Sequence, residues 1–284
     1  LGEIVNDVLP AGVVNIVTGG PAAGEAIVRH PKIKRIAFIG HAGTGMAIQR
    51  AAAEVAVKHV SLELGGKNPM IICPDADLDK AGAAAVRGMN FAWQGQSCGS
   101  TSRLMLHEDV YDTVLPMVLD RISKMKAGDP LDPASSMGPM NSKMQYDKTM
   151  EYIEIAKKDG ATLRAGGKRP TGSKFDKGFW VEPTVFTDVT MDMRIAKEEV
   201  FGPVLSVLKW RDIDEVIGMA NDVDYGLTAS IWTRDLELAM RFVKEVEAGY
   251  IWVNGTGTHF RNVPHGGFKN SGTGREEGLD ELLS

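Results

Sequence analysis

The sequence predicts an α/β protein built on a parallel sheet, and three observations carry that prediction. Over the first 65 residues, apolar β-branched runs alternate with helix-patterned segments at the spacing of crossover connections. The same rhythm continues, with more variety, through the rest of the chain. Finally, 284 residues that are 43% hydrophobic and 24% charged suffice for one large domain or two ordinary ones with a real core. The pattern reads as two intimately joined α/β lobes, with a boundary close to Gly65-Gly66.

The elements follow in order. VVNIVTG (13–19) is an apolar, β-branched run ended by glycine and reads as the first strand. AGEAIVRHP (23–31) has helical spacing and stops at a proline. RIAFIG (35–40) is a second strand, GTGMAIQRAAAEVA (43–56) an alanine-rich helix, and HVSLELGG (59–66) a third strand closed by a glycine pair. PMIICPDADLDKAGAAAVRGMNFA then reads as strand, turn and helix, and SRLMLHEDVYDTVLPMVLDRISKM as strand and helix. A Pro/Gly/Ser-rich loop fills 127–142, and a helix follows over 143–159. The turn-rich stretch after it predicts a strand pair on the surface. VFGPVLSVLKW and YGLTASIWTRD are strands flanking the helix DIDEVIGMANDV, and AGYIWVNGTGTH is a late strand running into a glycine loop. The first residues and EEGLDELLS both look like helices cut short, so a fragment is expected.

Several function classes drop out. A net charge of −5 offers no basic face for nucleic acid. No apolar run approaches the roughly 18–20 residues that span a bilayer, and no signal-peptide pattern opens the chain. The two cysteines make no disulfide framework and no metal-ligand spacing, and the six histidines show no HExxH, so no metal site is expected. A reducing, cytoplasmic compartment is the expectation.

Cys98 stands in GQSCGS with almost no bulk around the sulfur, whereas Cys73 lies in the apolar run MIICPDADLD. A structural cysteine packs as a small hydrophobe, which suits Cys73. A nucleophile needs room for a substrate and neighbours that favour the thiolate. Glu63 ends an apolar strand just before two glycines, either as an ion pair or cap at a sheet edge or as a general base raised by desolvation. Glu199 precedes the abrupt turn Phe201-Gly202-Pro203, and Asn254 is delivered by the strand YIWVN. FIGHAGTG places Gly40, His41 and Gly45 at a strand-to-helix turn, either as plain turn residues or as a phosphate cradle. Phe91, Ala92 and Trp93 either pack a helix against its core or line a passage to Cys98.

LELGGKNP, GQSCGS, EEVFGPV and PHGGFKNSGTGRE, in that order, resemble the NAD(P)-dependent aldehyde dehydrogenases, and the resemblance covers essentially the whole chain. It implies a partial Rossmann-like cofactor lobe over 1–65, an α/β catalytic lobe of the aldehyde dehydrogenase fold over 66–262, and a returning segment over 263–284 cut before an oligomerisation strand. It further implies NAD or NADP as cofactor, a small aldehyde as substrate, and a homodimer or homotetramer. Cys98 would form the thiohemiacetal and then the thioester, and Glu63 would activate the hydrolytic water. Glu199 would hold the nicotinamide ribose, with Phe201, Leu64 and Gly65 beside it and Gly40 and Gly45 flanking the phosphates. Asn254, Ala92 and Trp93 would lie along the substrate tunnel. Two departures stand out: His41 where the family often has a hydroxyl residue, and Pro264-His265-Gly266-Gly267 where it usually writes PFGG. The family's Pro-Trp-Asn oxyanion segment and adenosine-ribose residues have no counterpart in the sequence, so this chain alone is not expected to be a competent enzyme. The competing expectations are CoA-acylating chemistry, whose members generally lack the glutamate, and a non-catalytic relative.

Overall fold

The computed structural model describes residues 1–283. The first part holds α1 (Gly2–Val8), α2 (Pro21–Arg29), β1 (Arg35–Ile39), α3 (Ala42–Ala53) and β2 (His59–Glu63). The chain continues through β3 (Pro69–Ile72), α4 (Leu78–Gly88), β4 (Arg103–His107), α5 (Glu108–Ser123) and α6 (Lys143–Lys158). Next come β5 (Thr162–Ala165), β6 (Thr184–Thr187), α7 (Arg194–Lys197), β7 (Val204–Trp210) and α8 (Ile213–Asn221). The last elements are β8 (Tyr225–Gly226), β9 (Thr228–Trp232), α9 (Leu236–Glu245), β10 (Tyr250–Val253), β11 (Phe268–Lys269), β12 (Gly272–Thr273) and α10 (Leu279–Leu283). Side-chain caps start the helices where the sequence supplies a polar residue. Asp77 accepts from the Lys80 amide, Ser142 from that of Gln145, and Asp235 from those of Glu237 and Leu238.

Two sheets organise these elements. The larger has seven strands in the order β10-β9-β3-β4-β7-β6-β5, all parallel except the edge strand β5. Helices cover both faces, so its central strands are buried on both sides. Alternate residues serve two separate cores: Met70, Ile72, Leu104 and Leu106 face α4 and α5, whereas Ile71, Met105, Phe186 and Leu208 face α6, α8 and α9. The smaller sheet pairs β1 parallel to β2, and β12 returns antiparallel against β2. Its buried cluster is only Val28, Ile36 and Ala52. β2 ends in the small sheet at Glu63 and β3 enters the large one at Pro69, so Leu64 to Asn68 form the seam.

Two expectations are corrected. Residues 13–19 form no strand, and Val13 and Val17 are 65% and 70% exposed. A β-branched run becomes a strand only where a neighbour completes its ladder, and no described residue does so. The stretch 160–189 does yield an antiparallel pair, but only β5 lies at the surface. β6 is buried along its whole length between β5 and β7. Helix α9 was not anticipated.

Candidate active site

Glu63 is the last residue of β2 and is 4% exposed. Its Oε1 is buried and accepts no hydrogen bond from the described residues. Cys98 sits in the turn before β4, half-buried, with its thiol turned toward that carboxylate. Burial pushes the Cys98 thiol up to about 12, and the neighbouring carboxylates of Glu63 and Glu199 push the same way. The Gly99 amide pulls weakly against them. The neighbours therefore hold the thiol protonated, the reverse of the thiolate-favouring surroundings expected from the sequence.

Asn68 builds this junction, and sequence reasoning missed it. Its Nδ2 donates to the carbonyls of Cys98 (2.8 Å) and Ser100 (2.9 Å), and its Oδ1 accepts from the Thr228 amide (3.0 Å). One buried amide thus ties the cysteine turn to the seam and to β9. Gly66 must be bare for this to happen, because a Cβ there would lie 2.7 Å from the Cys98 carbonyl oxygen. The side chain of Ser271 closes the far side by donating to the Gly65 carbonyl at 2.7 Å. No local signal marks Asn68 or Ser271; only the fold brings in their partners.

Glu199 approaches the seam from the turn before β7. Its Oε1 accepts from the Gly66 amide at 2.9 Å, and burial raises its pKa against that bond. A Cβ on Gly65 would stand 2.3 Å from Glu199 Oε2, so Gly65 is the floor of a carboxylate cradle. Phe201 has φ 55°, the left-handed region that a bulky residue rarely enters. Gln145 on α6 holds that turn by donating to the carbonyls of Val200 and Phe201, both at 2.9 Å.

The remaining candidates are placed differently. Leu64 is 4% exposed and packs beneath α3, where a Cβ on Gly45 would meet it at 3.0 Å; Gly45 is bare for helix-to-strand packing. Gly40 makes room for the ring of Phe38, and His41 caps α3 by accepting from the Gly43 amide at 3.1 Å. Phe91 is 1% exposed within the α4/α5 core, so it lines no passage. Ala92 and Trp93 line an open cleft of about 520 Å³ with Pro130 and Met137, and neither Cys98 nor Glu63 borders it. Asn254 uses its whole amide to bridge the strand ends, accepting from the Thr233 amide and donating to its carbonyl. Cys73 is 1% exposed, and burial pushes its thiol up to about 12. No group of metal-binding side chains occurs among the described residues, and no helix there is long and apolar enough to cross a membrane.

A family model for aldehyde dehydrogenases matches residues 1–284. The chain belongs to the aldehyde dehydrogenase family. It is similar to the aldehyde dehydrogenase tropH of Talaromyces stipitatus, at 47% identity over all of this chain and 56% of that protein. It also resembles retinaldehyde dehydrogenase 3 of Homo sapiens, at 45% identity over 98% of this chain and 54% of that one. Among solved structures it matches a betaine aldehyde dehydrogenase of Staphylococcus aureus in complex with NAD+, with TM-score 0.94, 36% identity, and coverage of 99% of this chain and 56% of that one. A 3,6-anhydro-L-galactose dehydrogenase in complex with NAP matches with TM-score 0.93 and 43% identity, over 98% of this chain and 57% of that one. The chain thus spans about half the length of the aldehyde dehydrogenases it matches.

Proposed function

We propose that the intact protein oxidises an aldehyde to its carboxylic acid with NAD(P), using Cys98 as nucleophile and Glu63 as base. The observation that carries this reading is the single junction at which a half-buried thiol faces a buried carboxylate, both tied to the seam by glycines and Asn68. Because its surroundings keep the thiol protonated, attack begins with proton transfer from Cys98 to Glu63 while the sulfur bonds to the carbonyl carbon. When bound, NAD(P) supplies the acceptor for the hydride that turns the adduct into a thioester. Glu63 passes the thiol's proton to solvent and then takes a proton from water as that water attacks the thioester carbonyl carbon. The carbon–sulfur bond breaks, the acid departs, and Glu63 returns its proton to the sulfur.

The residues present fit the nicotinamide half of the cofactor. Glu199 keeps one oxygen on the Gly66 amide, and the missing Cβ of Gly65 leaves the other free for ribose hydroxyls. At the phosphate turn the fit is partial, since His41 already occupies the Gly43 amide. The relatives solved with NAD+ and NAP support this reading, as do the several aldehydes named among the relatives. Two free thiols suit a reducing compartment, for which the cytoplasm is our proposal, and a homodimer or homotetramer is proposed from the resemblance.

The test is Glu63→Gln on the intact protein, followed by rapid-mixing NADH absorbance. A slowed first turnover of NADH followed by a stall at the thioester is expected, with steady-state turnover reduced at least about 100-fold. Wild-type steady-state turnover would remove Glu63 from the hydrolytic step.

A further inference from the structure

His265 stands where the family pattern usually has phenylalanine, and the fold brings it to the base. Its Nε2 lies 3.8 Å from Glu63 Oε1, the carboxylate oxygen that accepts no hydrogen bond among the described residues. Both side chains are about 6% exposed. The position of the ring is set by its backbone, which exchanges hydrogen bonds with Glu276 at 2.8 and 2.7 Å. Aromatic neighbours also hold it: the His259 ring is 4.6 Å away and the Tyr250 ring 5.5 Å away.

We propose that His265 is a positioning residue for Glu63, holding the unpartnered carboxylate oxygen at the seam. This inference rests on the reading of Glu63 as the hydrolytic base. An imidazole N–H facing a buried, donor-poor carboxylate needs to close by less than about 1 Å to make a full hydrogen bond. A phenyl ring offers neither a donor nor a proton. Other charges bear on the ring from each side: the Glu276 carboxylate beside its backbone partner, Glu277 through its hydrogen bond to His259, and Arg275 next to Gly266. Glu63 is the carboxylate within 4 Å of Nε2 among the described residues.

Hydrolysis of the acyl enzyme reads this contact. In that step water forms a bond to the thioester carbonyl carbon, the carbon–sulfur bond breaks, and the water's proton passes to Glu63. Mixing the intact protein with p-nitrophenyl acetate gives a burst of nitrophenolate from acylation and a steady release from deacylation. His265→Phe, which removes the donor, should slow deacylation about five- to tenfold while leaving the burst amplitude unchanged. His265→Gln, which keeps a side-chain donor, should stay within about threefold of the wild-type deacylation rate. Circular dichroism and Tm on each variant separate misfolding from loss of positioning. A His265→Phe protein that folds and deacylates at the wild-type rate overturns the proposal. If Glu63→Gln deacylates at the wild-type rate, the base assignment fails and takes the positioning role with it, which is a different signature from a change confined to His265.

Discussion

The two sheets of this molecule differ in how they are held. The seven-stranded sheet is sandwiched, and Met70, Ile71, Ile72, Leu104, Met105 and Leu106 are completely buried. The three-stranded sheet rests on a three-residue cluster, while Val13, Val17, Ile39 and Val57 stand exposed near it. Burial of a large aliphatic side chain contributes roughly 1.5–3 kcal/mol, so the rigidity of the chain lies in the larger sheet. The chemistry lies on neither. Glu63 is the last residue of the lightly held sheet, whereas Cys98 hangs from the heavily held one, and the seam residues Gly65, Gly66 and Asn68 register one against the other.

The largest expected effect tests this asymmetry directly. Phe186→Ala, fully buried on β6 of the large sheet, should cost about 3–5 kcal/mol in denaturant unfolding. Ile36→Val, in the small cluster, should cost about 0.5–1.5 kcal/mol. β1 amides should also exchange with solvent well before those of β4. Equal protection in the two strands would show that the small sheet is as firmly held as the large one.

A second prediction concerns the seam. Lys67 is 2% exposed, and its side-chain nitrogen has no hydrogen-bond partner among the described residues. Burial, then the charge of Arg103, lowers it to about 7 from the ordinary lysine value of 10.5, while Glu199 and Glu198 oppose the shift. Above pH 7 the unfolded chain thus holds a proton that the folded protein has released, so stability rises with pH from about 7 toward 10.5. Between pH 7 and about 8.5 the gain should be at most about 2 kcal/mol, read as a higher urea midpoint. Lys67→Met should flatten it, and an unchanged slope in that variant would show that another group carries the pH dependence.

The two thiols sharpen the contrast at the smallest scale. Cys73, directly after β3, is raised chiefly by burial in the large core, whereas Cys98 is raised by burial together with two carboxylates at the seam. Glu63→Gln removes one of those charges, so Cys98 alkylation at pH 8 should accelerate roughly tenfold while Cys73 stays slow. Mass spectrometry of the two peptides reads both rates at once. Equal acceleration of both would mean that the substitution had loosened the fold.

Local pattern made much of this legible. The alternation of β-branched runs and helical segments located β1 to β4 and their helices, because period and punctuation are local properties. Glu63 and Cys98 were legible as a pair only through motif order, since nothing in either segment says that they meet. The run 13–19 misled because strand propensity cannot report whether a neighbouring strand exists. Asn68, Gln145 and Ser271 stayed hidden for the complementary reason: each acts on carbonyls or amides far away in the chain. Ala92 and Trp93 were placed near the nucleophile by sequence proximity, but left-handed residues at Asn90 and Gln94 bend that segment so that its cleft opens elsewhere.

β12 carries a consequence for how the molecule is made. Ser271 reaches the Gly65 carbonyl across 206 residues, its own carbonyl accepts from the Leu64 amide, and Gly272 pairs with Glu63. A polypeptide leaves the ribosome N-terminus first, so β1 and β2 emerge long before their third strand exists. During that interval the backbone around Glu63 lacks its lateral support, although Cys98 has already been synthesised. The order of translation thus delays completion of the small sheet beside Glu63 until the β12 segment has been made.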